Sequence, residues 1–370
     1  MGSEEMATSL FASFPLPHSA FPILSFAAPL LIATFLTAGL IRWAPRIGLV
    51  DHPGARKVHT RTVPRGGGLA IYAALALTEC LLSVIEPGPA PLYRRLLLGS
   101  VIVVLGLVDD LRPLPWQLRL GVQAVVVVVA VLVCLPPAGA AERALAVVWV
   151  VGMTNSFNML DNMDGLSGGV AWIAAGFFAV AVVLRGRSGD DALSLLMLMG
   201  ALSGFLWYNA PPARIFMGDA GSTFLGFFLG LAGAEAALAP GVRPWAAAVP
   251  LCVCAVACYD TATVVFLRLR QGRSPFHGDK QHLSHRLVER GLPPPTAVRL
   301  IYLLALASGA AGLLLYAVGT WADAALVAGQ LAVWWAALAV LEYFTRPRPP
   351  ADADRTTQER AEDGERAVRV

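Results

Sequence analysis

Asn155-Ser-Phe-Asn158-Met-Leu-Asp161-Asn162-Met-Asp164-Gly165-Leu-Ser-Gly168-Gly169 lies between two long apolar runs. Polar groups packed this densely at the end of a membrane helix are expensive to hold there, and they read as functional. If the helix continues from the run before it, Asn155, Asn158 and Asn162 share one face at i, i+3 and i+7, and Asp161 and Asp164 flank that face at i, i+3. The glycines leave room for a ligand or another backbone to come close. A solvated loop with an Asx-type turn is the bland alternative, but it does not need two Asn and two Asp in helical register.

Composition fixes the setting of this stretch. Of the 370 residues, 56% are hydrophobic and only 14% charged, with a mean hydropathy of +0.64. Soluble domains carry about 25% charged residues, so the chain reads as an all-α polytopic membrane protein. A spanning helix needs about 20 apolar residues. That ruler gives about eleven candidates, at 21–41, 66–85, 94–108, 118–136, 144–160, 166–184, 191–209, 219–239, 245–267, 298–317 and 320–342. Three parts follow: an extracytoplasmic segment at 1–20, the transmembrane domain at 21–342, and a disordered cytoplasmic tail at 343–370. The first twenty residues hold Glu4 and Glu5 and no Lys or Arg, which is not a signal-peptide pattern. The five cysteines lie in or beside apolar runs and read as small buried hydrophobes, including Cys252-x-Cys254-x-x-x-Cys258.

Eleven spans place 22 of the 28 Lys and Arg on one side. The positive-inside rule makes that side cytoplasmic, with the N-terminus outside and the C-terminus inside. Five polar loops then share the cytoplasmic face: Lys57–Gly68, Asp109–Arg119, Asn155–Gly169, Arg214–Ser222 and Pro275–Arg290.

Each of these loops has its own chemistry. Asp109 and Asp110 end the third span. Adjacent helical residues point about 100° apart, but Pro113 and Pro115 break the helix and let both carboxylates approach one site. Phe216-Met-Gly218-Asp219-Ala-Gly221-Ser222 opens the eighth span. Asp219 there is either a helix cap or the holder of a cation that bridges to a phosphate. His282 and His285 lie at i, i+3 in the longest basic loop. They lack further soft ligands for zinc, and with Lys280 and Arg286 they read as an anion clamp. Arg56, Lys57, His59 and Arg65 precede Gly66-Gly67-Gly68, whose backbone could cradle a phosphate or simply provide a flexible exit. Asp260, within a span, reads as a structural hydrogen-bonding group. Five carboxylates, two Asn and a basic ring are what Mg²⁺-dependent phosphoryl transfer needs. Mg²⁺ takes only one or two protein carboxylates, so most of the five have other roles.

Together the loops resemble the polyprenyl-phosphate N-acetylhexosamine-1-phosphate transferases, the glycosyltransferase 4 superfamily of WecA, TagO and MraY. The resemblance rests on Val108-Asp109-Asp110-Leu111, Asn155 to Leu166, Phe216 to Ser222, and Ser274 to Leu287. It covers about residues 21–342, and the first loop is most similar to the WecA/TagO branch. The resemblance implies an inner-membrane enzyme with its active site on the cytoplasmic face. That enzyme moves N-acetylhexosamine 1-phosphate, with GlcNAc the leading sugar, from a UDP-sugar to undecaprenyl phosphate and releases UMP. It implies Mg²⁺, with Mn²⁺ as a substitute, held by Asp219 and Asn158. Asp109, Asp110, Asp161 and Asp164 become the catalytic carboxylates, with Asp164 facing uracil and Phe216 stacking on it. Lys57, Arg65, Arg119, Asn155, His282, His285 and Arg286 become substrate-binding groups. The pathway implied is the first membrane step of an envelope polysaccharide such as O-antigen, teichoic acid or exopolysaccharide. A homodimer is one option for assembly, and no nucleic-acid partner is implied.

The sequence departs from the family pattern at three places. Ser284 stands where His-x-His-His has its middle histidine, Asn162 replaces a common Gly, and Gln117 replaces a frequent Lys. The three glycines at 66–68 resemble members that use modified UDP-sugars. Two other readings compete with the transferase. A secondary transporter would show midplane acids and repeats, whereas here the acids cluster at one face. An inactive assembly platform does not need an intact Asp set.

Overall fold

The computed structural model describes residues 20–51, 62–85, 91–185, 189–275 and 281–344. Its helices are α1 (Ala20–Trp43), α2 (Gly67–Ile85), α3 (Pro91–Leu111), α4 (Trp116–Cys134), α5 (Ala140–Leu160), α6 (Leu166–Leu184), α7 (Gly189–Asn209), α8 (Asp219–Leu238), α9 (Val249–Val253), α10 (Ala255–Arg270), α11 (Leu283–Glu289), α12 (Pro294–Ala317) and α13 (Trp321–Phe344). The departure from an all-helical chain is one small antiparallel pair, β1 (Val50–Asp51) with β2 (Val63–Pro64), in which Val50 faces Pro64 and Asp51 faces Val63. The segments 1–19, 52–61 and 345–370, which include Lys57 and His59, lie outside the described residues, as do Asp279 and Lys280.

Among the described residues, eight helices are long and apolar enough to cross a membrane, or nine if a bent pair counts as one span. The chain is a multi-pass membrane protein. The expected ninth span, 245–267, is the bent pair: Pro244–Val253 and Ala255–Arg270 meet at 74°. Pro244 and Pro250 open the two short helical turns before the break, and Cys254 leaves helical geometry at φ −97°, ψ 19°. Prolines cannot donate to the preceding turn, so continuity is weakest there.

The bundle is organised around α8. Every residue from Ala220 to Ala234 is buried, because α8 packs against α2, α3, α5 and α6. Small residues let these backbones approach, as expected where helices associate in lipid. A Cβ on Gly226 would lie 2.2 Å from the Met153 carbonyl oxygen of α5, and one on Gly106 of α3 would lie 2.5 Å from the Ala220 backbone. The N-terminus of α8 is thereby clamped between the ends of its neighbours. Outward-facing residues of the peripheral helices, such as Phe35, Val125, Leu145 and Leu326, are exposed and apolar, which suits contact with lipid.

Buried charge marks the other end of α8. The Arg95 guanidinium of α3 is 3% exposed and reaches Asp191 of α7 at 3.3 Å and Glu235 of α8 at 2.5 Å. Fourteen residues of helix separate Arg95 from Asp109, or about 21 Å along the axis. The triad is therefore remote from the polar stretch.

Candidate active site

The polar stretch is a helix end, a turn and a helix start. α5 stops at Leu160, so Asn162 does not continue the face of Asn155 and Asn158, and the expected three-Asn stripe is corrected to two. Asn162 turns back and donates its side-chain amide to the Met159 carbonyl at 2.8 Å. Gly165 then takes φ +74° and opens α6, a left-handed conformation that favours glycine. Two residues that the sequence reading missed hold this turn. Asn209 Oδ1 accepts the Gly165 N–H at 3.0 Å, and the Tyr302 hydroxyl donates to the Gly165 carbonyl at 2.5 Å. Asn209 carried a signal, a polar residue ending an apolar run before Pro211-Pro212, whereas Tyr302 is one aromatic in an apolar helix.

The Asp pair divides its work across one residue of α8. Both carboxylates remain on α3, and each reaches a different part of Asp219. Asp110 accepts the backbone N–H groups of Asp219 at 3.0 Å and Ala220 at 3.2 Å. These are among the unpaired donors that every helix N-terminus leaves, and a carboxylate there is favoured by the helix dipole. The Asp110 side chain is fully buried and also meets Arg65 at 3.5 Å. Gly218 makes this cap accessible: its φ is +78°, and a Cβ on it would lie 2.5 Å from Asp110 Oδ2. Asp109 instead accepts the Leu114 N–H at 2.6 Å and pairs with Arg119 at 2.5 Å. Arg119 reaches on to Asp219 at 3.3 Å. Pro113 and Pro115 thus act as expected: the chain turns after Leu111, so Leu114 and Arg119 fold back on Asp109.

Asp219 and Asn158 meet at the centre. The Asn158 amide donates to Asp219 Oδ1 at 3.1 Å and to the Ser222 hydroxyl at 3.0 Å. About a third of the Asp219 side chain, 34%, remains exposed. Asp161, half-buried just beyond α5, has no side-chain hydrogen bond or ion pair among the described residues. Burial, then repulsion from Asp219 and Asp110, pushes its carboxyl from an ordinary value near 3.8 up to about 8, against the pull of Arg65.

The remaining sequence candidates take these places. Arg65 bridges Asp51 at 3.0 Å and Asp110, so it ties the β1–β2 pair to the site. Asp51 was not anticipated. The Phe216 backbone bonds Pro64 and Gly67 at 2.8 and 3.0 Å, which docks the loop before α8 onto the same segment. Asp164 accepts the Ala213 N–H at 2.9 Å through one oxygen. Asn155 donates to Gln123 of α4 at 2.9 Å. His282 Nδ1 lies 2.8 Å from Asp260, which accepts the Leu283 N–H as well, at 2.5 Å. The His285 ring sits 6.2 Å from that of His282. Arg286 is corrected from an anion clamp to a structural pair. It is buried and grips both oxygens of Glu342 at 3.0 and 3.1 Å, with Thr263 at 3.2 Å.

Asp51, Asp109, Asp110 and Asp219 share two guanidiniums (Arg65, Arg119), with the Asp161 carboxyl beside them, which leaves an excess of acidic groups. A divalent cation would balance it. The available donors are hard: an exposed Asp219 oxygen, the Asn158 amide and the unpartnered Asp161 carboxyl. No compact set of three acidic, His or Cys side chains forms among the described residues. Mg²⁺ would need only one or two of these carboxylates, because it keeps most of its shell for water and substrate phosphate.

The comparisons with known proteins point the same way. A model of glycosyl transferase family 4 matches residues 93–236. The chain is 31% identical over 303 residues to a probable undecaprenyl-phosphate N-acetylglucosaminyl 1-phosphate transferase of Bacillus subtilis, covering 76% of this chain and 81% of the relative. It is 34% identical over 315 residues to a decaprenyl-phosphate N-acetylglucosaminephosphotransferase of Mycolicibacterium smegmatis, covering 74% and 77%. It is 30% identical over 300 residues to the undecaprenyl-phosphate alpha-N-acetylglucosaminyl 1-phosphate transferase of Escherichia coli K12, covering 73% and 77%.

Proposed function

The chain belongs to the polyprenyl-phosphate N-acetylhexosamine-1-phosphate transferases of glycosyl transferase family 4, and from that premise we propose that it transfers N-acetylglucosamine 1-phosphate from UDP-GlcNAc to undecaprenyl phosphate. The products are the lipid-linked pyrophosphoryl sugar and UMP. One phosphoanhydride bond forms and one breaks, so no net proton is moved. The observation that carries this reading is the convergence of Asp109, Asn158, Asp161 and Arg119 on Asp219 at the start of α8.

Asp219 and Asn158, with Asp161 beside them, would hold Mg²⁺. When bound, the ion supplies charge neutralisation on the donor diphosphate. Arg119 reaches Asp109 and Asp219 through the same Nη1 and offers its remaining N–H groups to phosphate. Asp110 fixes the position of the α8 terminus by accepting its first two N–H groups, and so sets where the Asp219 side chain stands. The Asp pair therefore positions groups and does not need to remove a proton. A phosphate monoester, with a second pKa near 6, is already mostly dianionic at pH 7. Asp164, held by Ala213, has one oxygen left for the nucleobase, and Phe216 lies in the same loop region. Eleven spans with a cytoplasmic site, and a role as the first membrane step of an envelope polysaccharide, complete the proposal.

The experiment is UMP release by the purified full-length protein in detergent, with undecaprenyl phosphate and a panel of UDP-N-acetylhexosamines, with and without Mg²⁺. Release with UDP-GlcNAc that needs the metal is the expected result. No release with any donor in the panel overturns the reading.

A further inference from the structure

α11 is seven residues long, too short to hold its own place. Three side chains fix it from three directions. Asp260 of α10 takes the His282 ring and the Leu283 N–H. Glu342 of α13 takes Arg286 through both oxygens. Asn162, in the turn after α5, accepts the Ser284 hydroxyl at 2.5 Å across 122 residues of sequence. The first two ties anchor α11 to neighbouring helices. The third joins it to the turn that carries Asp161 and Asp164. Ser284 is 1% exposed, and the Asn162 amide is already fixed on Met159, so Oδ1 is the atom left to meet Ser284.

We propose that the Ser284–Asn162 hydrogen bond is a positioning latch for the nucleotide-sugar donor; this rests on the transferase reading above. One side of the latch carries the half-buried His285 imidazole, which suits a phosphate or a sugar oxygen. The other carries carboxylates, which suit the N–H groups of a nucleobase or the hydroxyls of a sugar. A ligand that uses both sides needs an anionic part and a hydrogen-bond-donating part. A UDP-sugar has both, whereas a polyprenyl phosphate offers an anion and an apolar chain. Cutting the latch leaves α11 tethered by Asp260 and Glu342 but no longer in register with Asp161 and Asp164. Ser284 and Asn162 are positioning residues and do not themselves touch the reacting atoms.

The test compares Ser284→Ala, Asn162→Ala and the double variant in the full-length protein, by donor KM, acceptor KM and Tm. Each single change should raise donor KM about tenfold, the value of one buried hydrogen bond. Acceptor KM should stay near wild type, and Tm should fall by no more than a few degrees. The double variant should be no worse than either single one, and Ser284→Thr, which keeps the hydroxyl, should restore donor KM. Additive effects, an unchanged donor KM, or equal shifts in both KM values overturn the latch. If Ser284→Ala does not fold, Asn162→Ala makes the same measurement from the half-buried partner. Loss of folding in both makes the pair structural and overturns the latch as well. A wild-type protein that releases no UMP with any donor overturns the transferase reading instead.

Discussion

At the residue scale, the site depends on one glycine and one displaced proton. Gly218 has φ +78°, and its missing Cβ leaves the space in which Asp110 reaches the first two N–H groups of α8. Gly218→Ala should therefore cost about 1–3 kcal/mol through backbone strain and lose most activity, because Asp219 shifts with the helix terminus. Thermal unfolding in detergent and UMP release measure the two effects, and an active variant with wild-type Tm would contradict this account of Asp110. The proton concerns Asp161, whose pKa rises from near 3.8 to about 8 on folding without metal. The folded state then holds a proton that the unfolded chain has released. The contribution of Asp161 to metal-free stability is thus full below about pH 4 and is lost as pH rises toward 8. A cation held at Asp219 and Asn158, as proposed, would reverse this preference and expel the proton. Apparent Mg²⁺ affinity should weaken by up to about tenfold per pH unit as pH falls below 8. The Tm gain on adding Mg²⁺ should be larger at pH 8 than at pH 6, and equal gains would show that Asp161 does not sense the metal. Much of this chemistry was legible in the sequence, because Asp and Asn are rarely placed at the ends of apolar helices without use. What each carboxylate touches was not legible. Asp110 as a cap on a helix 109 residues away, and Arg286 as the partner of Glu342, are long-range pairings that no local spacing encodes.

At the element scale, α8 serves as the axis from which chemistry and stability separate. Its N-terminal end holds Asp219, and its C-terminal half holds Glu235 against Arg95 and Asp191. Sixteen residues divide the two acids, about 24 Å of helix. The far triad should therefore govern folding without governing turnover. Removing only the cation leaves two carboxylates buried together, which costs about 3–5 kcal/mol. Arg95→Met should accordingly lower stability by that amount with kcat unchanged in the folded fraction. Adding Asp191→Asn and Glu235→Gln to Arg95→Met should recover most of the loss. Denaturation in mixed micelles reads the stability and single-turnover UMP release reads the chemistry. A selective fall in kcat would mean that the two ends of α8 are coupled. The sequence identified most of these helices by apolar length alone. It missed the bend after Val253, because residues 245–267 are apolar enough for a straight span while prolines and Cys254 break the backbone inside it. That bend sets the course of α10, which carries Asp260 to His282.

At the scale of the whole molecule, the issue is how many helices cross the membrane and which way the site faces. Eight spans, or nine with the bent pair, satisfy length and apolarity. α3 and α5 are the informative helices. Each has 21 residues, long enough to span about 30 Å, and each packs directly on the buried α8. Polar residues sit at the ends of both, Arg94 and Arg95 with Asp109 and Asp110 on α3, and Glu142 and Arg143 with Asn155 and Asn158 on α5. Spanning helices that deliver functional groups to a surface look like this, with a lower mean apolarity from their ends and an intact apolar middle. The proposed eleven spans require both to cross. The contacts among Gly68, Gly106, Asp110, Asn158, Asp219 and Gly221 then lie at one end of the bundle. Omitting either helix alone would put the α1–α2 and α10–α12 connections, both basic, on opposite faces against the charge rule. Single cysteines at Arg112 and Arg214, in a chain whose five native cysteines are replaced, should react with a membrane-impermeant maleimide only in inverted vesicles. Cysteines at Ala140 and Gly241 should react only in right-side-out cells. Agreement at all four positions fixes α4 and α8 as spans and requires an odd number of crossings among α5, α6 and α7, which makes α5 a span because α6 and α7 are both long and apolar enough to cross. Labelling of Arg112 and Gly241 from the same side would require one of the helices between them to turn back within the membrane.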